Sequence, residues 1–140
     1  MQKNEFNKSN TCILVIDDDE VNLDIMCDML AQLNVTNVVV AGDGRKGMDK
    51  FSRMLCETDF VIVDIYMPET DGIEFLSDLA KRGYKGGIMI VSGVNIETLA
   101  LSRQIAVENG LNVVATLIKP ITLAQLGMVL GIDATTAAPK

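Results

Sequence analysis

The chain has no histidine, no tryptophan and few other aromatic residues: two tyrosines and four phenylalanines among 140 residues. The lack of histidine argues against a Cys/His zinc site. With so few rings the core must be aliphatic, and apolar residues make up 49% of the sequence. This composition is typical of buried parallel strands rich in Val, Ile and Leu.

Cysteine, long apolar runs and positive charge are also scarce. The three cysteines, Cys12, Cys27 and Cys56, are odd in number and lie in apolar segments, so we expect buried thiols. No apolar run approaches the roughly 20 residues that cross a bilayer. The polar start, MQKNEFNKSN, lacks the apolar centre of a secretory signal, so we expect a cytoplasmic protein without membrane contact. The net charge of −7 argues against nucleic-acid binding by this domain.

Short apolar runs alternate five times with helical patterns, in a chain of single-domain size. The predicted strands are Cys12–Ile16, Val38–Ala41, Phe60–Val63, Ile88–Val91 and Val113–Ile118. The predicted helices are Val21–Leu33, a second from an Asp43 cap to about Leu55, Ile73–Lys81, a fourth from an Asn95 cap to Gly110, and Thr122–Leu130. The pattern predicts an α/β domain over residues 11–131. Residues 1–10 form a tail, and residues 132–140 a second tail or the start of a linker.

Five such repeats predict a parallel sheet covered by helices on both faces. Right-handed crossovers then place the carboxyl ends of all strands at one edge, where such folds carry their sites. Asp17–Asp19 follow the first strand, Asp64 the third, Ser92 the fourth, and Lys119-Pro120 the fifth. Crowded carboxylates repel one another, and a hard cation such as Mg²⁺ neutralises them. A lysine and a hydroxyl beside them suit a phosphoryl group.

Each of these residues also has an ordinary structural interpretation. An aspartate after a strand is often only a helix cap, and for Asp19 both interpretations stay open. Ser92-Gly93 is compatible with a simple turn, and Lys119 taken alone with a solvated surface charge. The coincidence of compatible groups after four of the five strands favours a functional site.

These residues resemble the receiver domains of two-component response regulators over about Thr11 to Leu130. The resemblance is carried by the acidic cluster in ILVIDDDE, the segment VDIYMPETDGIEFL, the pair Ser92-Gly93 and the pair Lys119-Pro120. It implies a flavodoxin-like (βα)5 fold with a doubly wound five-stranded parallel sheet of strand order 2-1-3-4-5. It also implies a signalling domain that assists its own phosphorylation and dephosphorylation, and is not an enzyme in the usual sense.

The resemblance further implies a role for each site residue. Asp64 is the phosphorylated carboxylate, Lys119 pairs with it through a cis Lys119–Pro120 peptide, and Ser92 binds the phosphoryl group after transfer. The implied ligands of Mg²⁺ (or Mn²⁺) are Asp17, Asp18, Asp64 and the backbone carbonyl of Tyr66. The implied donor is a sensor histidine kinase or a histidine phosphotransfer protein. Phosphorylation would switch the face formed by the fourth helix, fifth strand and fifth helix, and promote a homodimer.

Two departures from the family pattern concern the output. Receivers usually carry Tyr or Phe three residues before the lysine, as a switch residue coupled to the hydroxyl residue, but this sequence has Thr116. The interval from Ser92 to Lys119 is also several residues longer than usual, which predicts an extended fourth helix or an added turn. This region is similar to receivers that precede an EAL-type cyclic-di-GMP phosphodiesterase, so we expect such an output domain beyond the C-terminus.

Three alternatives fit parts of the sequence. Asp17 to Val21 match the D-x-D-x-[T/V] nucleophile motif of haloacid-dehalogenase phosphatases, although after Lys119 the only acid is Asp133. In that case Asp17→Asn, and not Asp64→Asn, would abolish covalent phosphorylation. A pseudo-receiver would use the same fold only for docking, but the complete set of site residues argues against it. An FMN-binding flavodoxin needs a neutral phosphate loop, where this chain has three carboxylates.

Overall fold

Ten elements of secondary structure alternate strictly between strand and helix. A computed structural model describes residues 11–54, 58–65, 72–93 and 96–132. The strands are β1 (Cys12–Ile16), β2 (Asn37–Ala41), β3 (Phe60–Asp64), β4 (Gly87–Ser92) and β5 (Asn112–Ile118). The helices are α1 (Glu20–Gln32), α2 (Gly44–Arg53), α3 (Gly72–Lys81), α4 (Ile96–Glu108) and α5 (Leu123–Leu130). No helix among these residues is long and apolar enough to cross a bilayer.

The five strands form one parallel sheet in the order β2-β1-β3-β4-β5, so the expected α/β fold and strand order are confirmed. β1, β3 and β4 are the inner strands, and their apolar residues are almost completely buried. Continuous burial requires cover on both faces of the sheet. All carboxyl ends therefore lie at one edge, as the sequence predicted.

Alternate residues of each strand pack into two separate apolar layers. One layer joins Leu14, Val61 and Ile88 to α2, α3 and α4 through residues such as Phe75 and Leu99. The other layer lies under α1 and α5, and its members include Ile13, Val15, Ile62, Leu30 and Leu126. The aliphatic core expected from the composition is present in both layers.

Local signals set the helix ends. The side chains of Asp19, Asp43 and Thr122 accept hydrogen bonds from backbone N–H groups at the starts of α1, α2 and α5. Such caps satisfy donors that have no partner within the helix. Gly110 ends the turn after α4 at a φ of +89°, which favours glycine. The predicted Asn95 cap and the predicted end of the second helix at Leu55 lie outside the described residues.

The interval from Ser92 to Lys119, which is longer than in typical receivers, contains a long helix and a bulged strand. α4 has 13 residues, as many as α1, and β5 has 7. The pairing of β5 with β4 shifts between Ile88 and Met89, so that Val113 and Ala115 oppose consecutive β4 residues. Because of this β-bulge, the β5 residues that follow it alternate between the two apolar layers in step with the β4 residues they pair with.

The two outer edges of the sheet differ from its centre. β2 and β5 each have a neighbouring strand on one side only. Lys50 of α2 donates a hydrogen bond from Nζ to the backbone oxygen of Val40 in β2, at 2.6 Å. β5 carries the bulge described above. Both edges are therefore modified by a side chain or by an irregularity.

The expectation of three buried thiols is wrong for Cys12, which is disulfide-bonded, and for Cys27, which is only half-buried, while Cys56 lies outside the described residues. Cys27 on α1 is a free, half-buried thiol, and burial together with the charges of Asp24 and Asp28 raises its pKa. Cys12 is completely buried at the start of β1, but it is disulfide-bonded, and its partner lies outside the described residues. Composition and an odd count did not indicate this bond.

Candidate functional site

The carboxyl edge of the sheet brings the predicted polar residues together. Asp17 directly follows β1, Asp64 ends β3, Ser92 ends β4, and Lys119 directly follows β5. Asp17 and Asp64 are only 6% and 4% exposed, and Ser92 is fully buried. Buried polar groups at the end of inner strands require strong partners, because desolvation is costly. The charges at this edge are therefore part of a built site and not a solvated surface.

Lys119 is the centre of the charge network. Its Nζ donates hydrogen bonds to Oδ2 of Asp17 at 2.7 Å and to Oδ2 of Asp64 at 2.8 Å. Burial by itself lowers the pKa of Lys119, but the hydrogen bonds to Asp17 and Asp64 and the attraction of both charges raise it more. The net effect is a pKa above the ordinary value of lysine. Lys119 is therefore a permanent cation at neutral pH.

The Asp17 carboxylate is held in place by two donors. Its Oδ2 binds Lys119, and its Oδ1 accepts a hydrogen bond from the backbone N–H of Asp19 at 2.9 Å. The side chain of Asp19 itself points to α1, where it accepts from the N–H of Val21 at 2.9 Å. Of the two interpretations left open for Asp19, the helix cap is the one the structure shows. Asp19 nevertheless contributes to the site through its backbone.

Three carboxylates lie close enough to share a cation. Carboxylate oxygens of Asp17, Asp18 and Asp64 lie within 4.8 Å of one another, with Asp18 exposed and the other two buried. Mg²⁺ binds oxygens at about 2.1 Å, so two ligands of one ion are at most about 4.2 Å apart, a separation that small side-chain rotations reach. These three charges face the single ammonium of Lys119, which leaves a net charge of −2. The donor set and its charge fit a divalent cation. The other predicted ligand, the carbonyl of Tyr66, lies outside the described residues.

Ser92 and Lys119 are joined through the backbone. The N–H of Lys119 donates to the carbonyl oxygen of Ser92 at 2.9 Å, and Ile118 is the β5 residue in register with Ser92. The Lys119–Pro120 peptide is cis, as the family resemblance implied. Thr116, the other predicted switch residue, is not part of this group. It is half-buried on β5, in register with Ile90 and facing α4.

Gly72 allows α3 to begin directly against the end of β3. A Cβ atom at this position would lie 2.7 Å from the backbone oxygen of Asp64 and 2.9 Å from Cα of Ile65. Real Cβ atoms do not approach backbone atoms so closely, and neither backbone atom can rotate away. In the sequence, Gly72 belongs to the segment VDIYMPETDGIEFL that carries the family resemblance, and the structure supplies a steric reason for a glycine there.

We expect Gly72→Ala to move α3 away from β3 and to destabilise the fold by about 1–3 kcal/mol, the usual cost of overpacking. A Cβ atom at Gly42 would meet no atom within 4 Å, so Gly42→Ala is the matched control. Urea denaturation followed by circular dichroism measures both. A loss of stability for Gly42→Ala as large as that for Gly72→Ala contradicts the steric explanation.

A cavity beside the site was not predicted. It has a volume of about 340 Å³ and lies between α1 and the Lys119–Pro120 segment, with Asp17 and Lys119 at its polar end. Its other walls are mostly apolar, and they include Ile25, Met26 and Ile121. The periodicity of α1 places Ile25 outside the core, and it is 48% exposed, but nothing in the sequence shows that it borders a cavity.

The profile of the response regulator receiver domain matches residues 13–130, which is most of the chain. The chain belongs to the response regulator receiver family. This membership decides against the haloacid-dehalogenase and flavodoxin alternatives. Receiver domains are signalling domains and not enzymes in the usual sense, and they interact with histidine kinases or phosphotransfer proteins.

Curated relatives have similar sequences. A probable C4-dicarboxylate response regulator, DctR of Bacillus subtilis, is 31% identical over 116 residues, which cover 81% of this chain and 48% of that protein. A probable chemotaxis protein CheY of Rhizobium etli is also 31% identical over 116 residues, which cover 84% of its length. The chain thus spans about half the length of the first of these relatives and nearly all of the second.

Solved structures have the same fold. A response regulator from Colwellia psychrerythraea is 27% identical and has a TM-score of 0.74, covering 88% of this chain and 95% of its own. The Vibrio cholerae chemotaxis protein CheY4 is 20% identical with a TM-score of 0.75, covering 88% of this chain and 98% of its own, and shows the fold alone.

Proposed function

We propose that this domain accepts a phosphoryl group on Asp64, in an Mg²⁺-dependent transfer from the phosphohistidine of a partner protein. The observation that carries the proposal is the position of the Lys119 ammonium, which binds Asp17 and Asp64 together within a group of three carboxylates. Phosphoryl transfer requires positioning and charge neutralisation more than covalent assistance. Family membership supports the same function.

Each residue has a distinct part in this mechanism. The buried Asp64 carboxylate would attack the phosphorus, and the bond between phosphorus and the imidazole nitrogen of the donor histidine would break. The Lys119 ammonium, 2.8 Å from Oδ2 of Asp64, would neutralise charge on the phosphoryl oxygens. Asp17 and Asp18 would hold Mg²⁺, which supplies two positive charges to the phosphoryl oxygens. Ser92 would donate its hydroxyl to the phosphoryl group after transfer.

The surface around the site suits a protein donor. A phosphohistidine reaches Asp64 only if the donor covers the carboxyl edge of the sheet. On α1, beside this edge, the large apolar residues Val21 and Ile25 are 64% and 48% exposed, and the mostly apolar cavity of about 340 Å³ opens there. We propose that a sensor histidine kinase or a phosphotransfer protein packs against this surface.

We expect Ile25→Glu to lose phosphotransfer from the partner protein. Labelling of the same variant by acetyl phosphate should not be lost.

We propose that phosphorylation changes the face formed by α4, β5 and α5, and that this face passes the signal to a second domain. We propose that the receiver spans residues 11–131 of a cytoplasmic protein, that an EAL-type phosphodiesterase domain follows, and that phosphorylation promotes a homodimer. The relatives support an output domain, since DctR of Bacillus subtilis is about twice as long as the matched region. A parent gene without an EAL-coding region contradicts the proposed output domain. A molecular mass in solution that does not change on phosphorylation contradicts the proposed homodimer.

The test is treatment of the purified chain with acetyl phosphate, with and without Mg²⁺, followed by intact mass measurement. We expect one phosphoryl adduct with Mg²⁺ and none after chelation. Asp18→Ala removes an exposed ligand without disturbing the core, so it should raise the Mg²⁺ concentration needed for half-maximal labelling, on the order of tenfold.

Beryllofluoride provides a second probe, because it mimics the phosphoryl group. A structural neighbour with 21% identity, a CheX–CheY complex from Borrelia burgdorferi, contains BeF3 and Mg²⁺. Absence of both the phosphoryl and the beryllofluoride adduct from the wild-type chain overturns the proposed function and leaves the pseudo-receiver alternative.

A further inference from the structure

The cavity between α4 and β5 is open to solvent. It has a volume of about 460 Å³ and is lined by Ile96, Leu99, Ala100, Arg103, Val107 and Thr116, among others. Half of the lining side chains are apolar, and Thr116 is the β5 member of the lining. A threonine fills little of this volume, so the cavity has room beside β5 for a further apolar side chain.

Ile118 is an aliphatic residue on the same face of β5 as Thr116, and it lies next to the cavity lining without being part of it. Because the bulge of β5 precedes Ala115, residues 116 and 118 lie on the same face of the strand, toward α4. β5 runs toward the carboxyl edge and α4 runs away from it, so Ile118 and Ile96 both lie at that edge. They are 38% and 71% exposed, although both are large and apolar. Burial against each other and against the cavity wall would remove this apolar surface from water.

Ile118 is also tied to the phosphorylation site by its neighbours. It pairs in register with Ser92, and the next residue, Lys119, donates from its backbone N–H to the carbonyl of Ser92. The Lys119 side chain binds Asp64 at 2.8 Å. The backbone around Ile118 is therefore attached to both groups that a phosphoryl oxygen would engage. Thr116 lies two residues further from these attachments.

We propose that Ile118, and not residue 116, relays the state of Asp64 to α4. This proposal rests on the phosphoryl acceptance proposed above. When Ser92 and Lys119 reorient toward a phosphoryl group on Asp64, the end of β5 moves with them. Ile118 then turns from solvent into the α4–β5 cavity, against Ile96 and Leu99. The change in packing repositions α4 and so alters the face that a partner contacts.

The test is methyl NMR of the whole chain, labelled at Ile, Leu and Val, before and after addition of beryllofluoride and Mg²⁺. Fluorine NMR of the bound beryllofluoride measures adduct formation separately. In the wild type we expect the methyl signals of Ile118, Ile96 and Val107 to shift. In Ile118→Ala the adduct should still form, while the shifts of Ile96 and Val107 are largely lost. Ile118→Val, which keeps a branched side chain, should restore most of them.

Val114→Ala is the matched control. Val114 is also on β5 and is 46% exposed, but it lies at the bulge, far from the carboxyl edge. We expect it to leave the Ile96 and Val107 shifts unchanged. An adduct on Ile118→Ala with wild-type shifts of Ile96 and Val107 overturns the relay and leaves the proposed function intact. Absence of the adduct from the wild type overturns both.

Discussion

Asp64→Asn is expected to abolish labelling by acetyl phosphate completely, even at saturating Mg²⁺. The amide has nearly the shape of the carboxylate, but it lacks the negative oxygen that attacks phosphorus. It also removes one of the three charges that would hold the cation. We expect the variant to stay folded, because an amide oxygen can still accept the hydrogen bond that Lys119 donates. Intact mass of the treated protein gives the result directly.

Asp19→Asn is the appropriate control for this loss. Asp19 lies two residues from Asp17 and donates its backbone N–H to that carboxylate, but its side chain caps α1. Asparagine caps helices as well as aspartate does, so both stability and labelling should change little. A phosphoryl adduct that persists on Asp64→Asn at the wild-type level would mean that another carboxylate is the acceptor.

Lys119→Ala is expected to reduce labelling strongly and to destabilise the protein in the absence of Mg²⁺. Without the ammonium, Asp17 and Asp64 lose their common partner while their side chains are only 8% and 5% exposed. Removing one member of a buried charge group typically costs about 3 kcal/mol or more, because uncompensated charge remains. Mg²⁺ should recover part of this stability, and more than it adds to the wild type, since the bare carboxylates attract it more strongly. Urea denaturation with and without Mg²⁺ measures both effects.

Lys85→Ala removes an equal charge from an exposed position and serves as the control. We expect its stability to remain within about 0.5 kcal/mol of the wild type, as for most surface substitutions. Equal stability of Lys119→Ala and Lys85→Ala without Mg²⁺ would mean that the carboxylates at the site need no counter-charge. It would remove the electrostatic basis of the proposed mechanism.

The strands and most helix boundaries were predictable because their signals are local. Buried parallel strands appear as continuous apolar runs such as Cys12–Ile16, and Asp43 precedes the second helix as a cap. The carboxyl-edge rule then brought Asp17, Asp64 and Lys119 to one place, although Asp17 and Lys119 are 102 residues apart in sequence. Topology connects distant residues when the handedness of the crossovers is fixed.

What the sequence did not show depends on distances between elements. The disulfide of Cys12 needs two cysteines to meet, and the steric role of Gly72 needs the path of α3 relative to β3. The cavity beside Thr116 likewise depends on where α4 lies. The sequence showed that the usual ring was missing from position 116, but only the register of β5 with β4 draws attention to Ile118.

The modified edges of the sheet have a consequence for how the protein behaves at high concentration. An unprotected edge strand offers free backbone groups to any other strand and so promotes polymerisation. Here the Lys50 ammonium occupies the backbone oxygen of Val40 at one edge, and the bulge in β5 interrupts the regular spacing at the other. Strand addition is therefore disfavoured at both ends of the sheet. Specific association with other proteins would therefore use side chains on the helices and on the faces of the strands. A change in the packing of these side chains can strengthen or weaken such association.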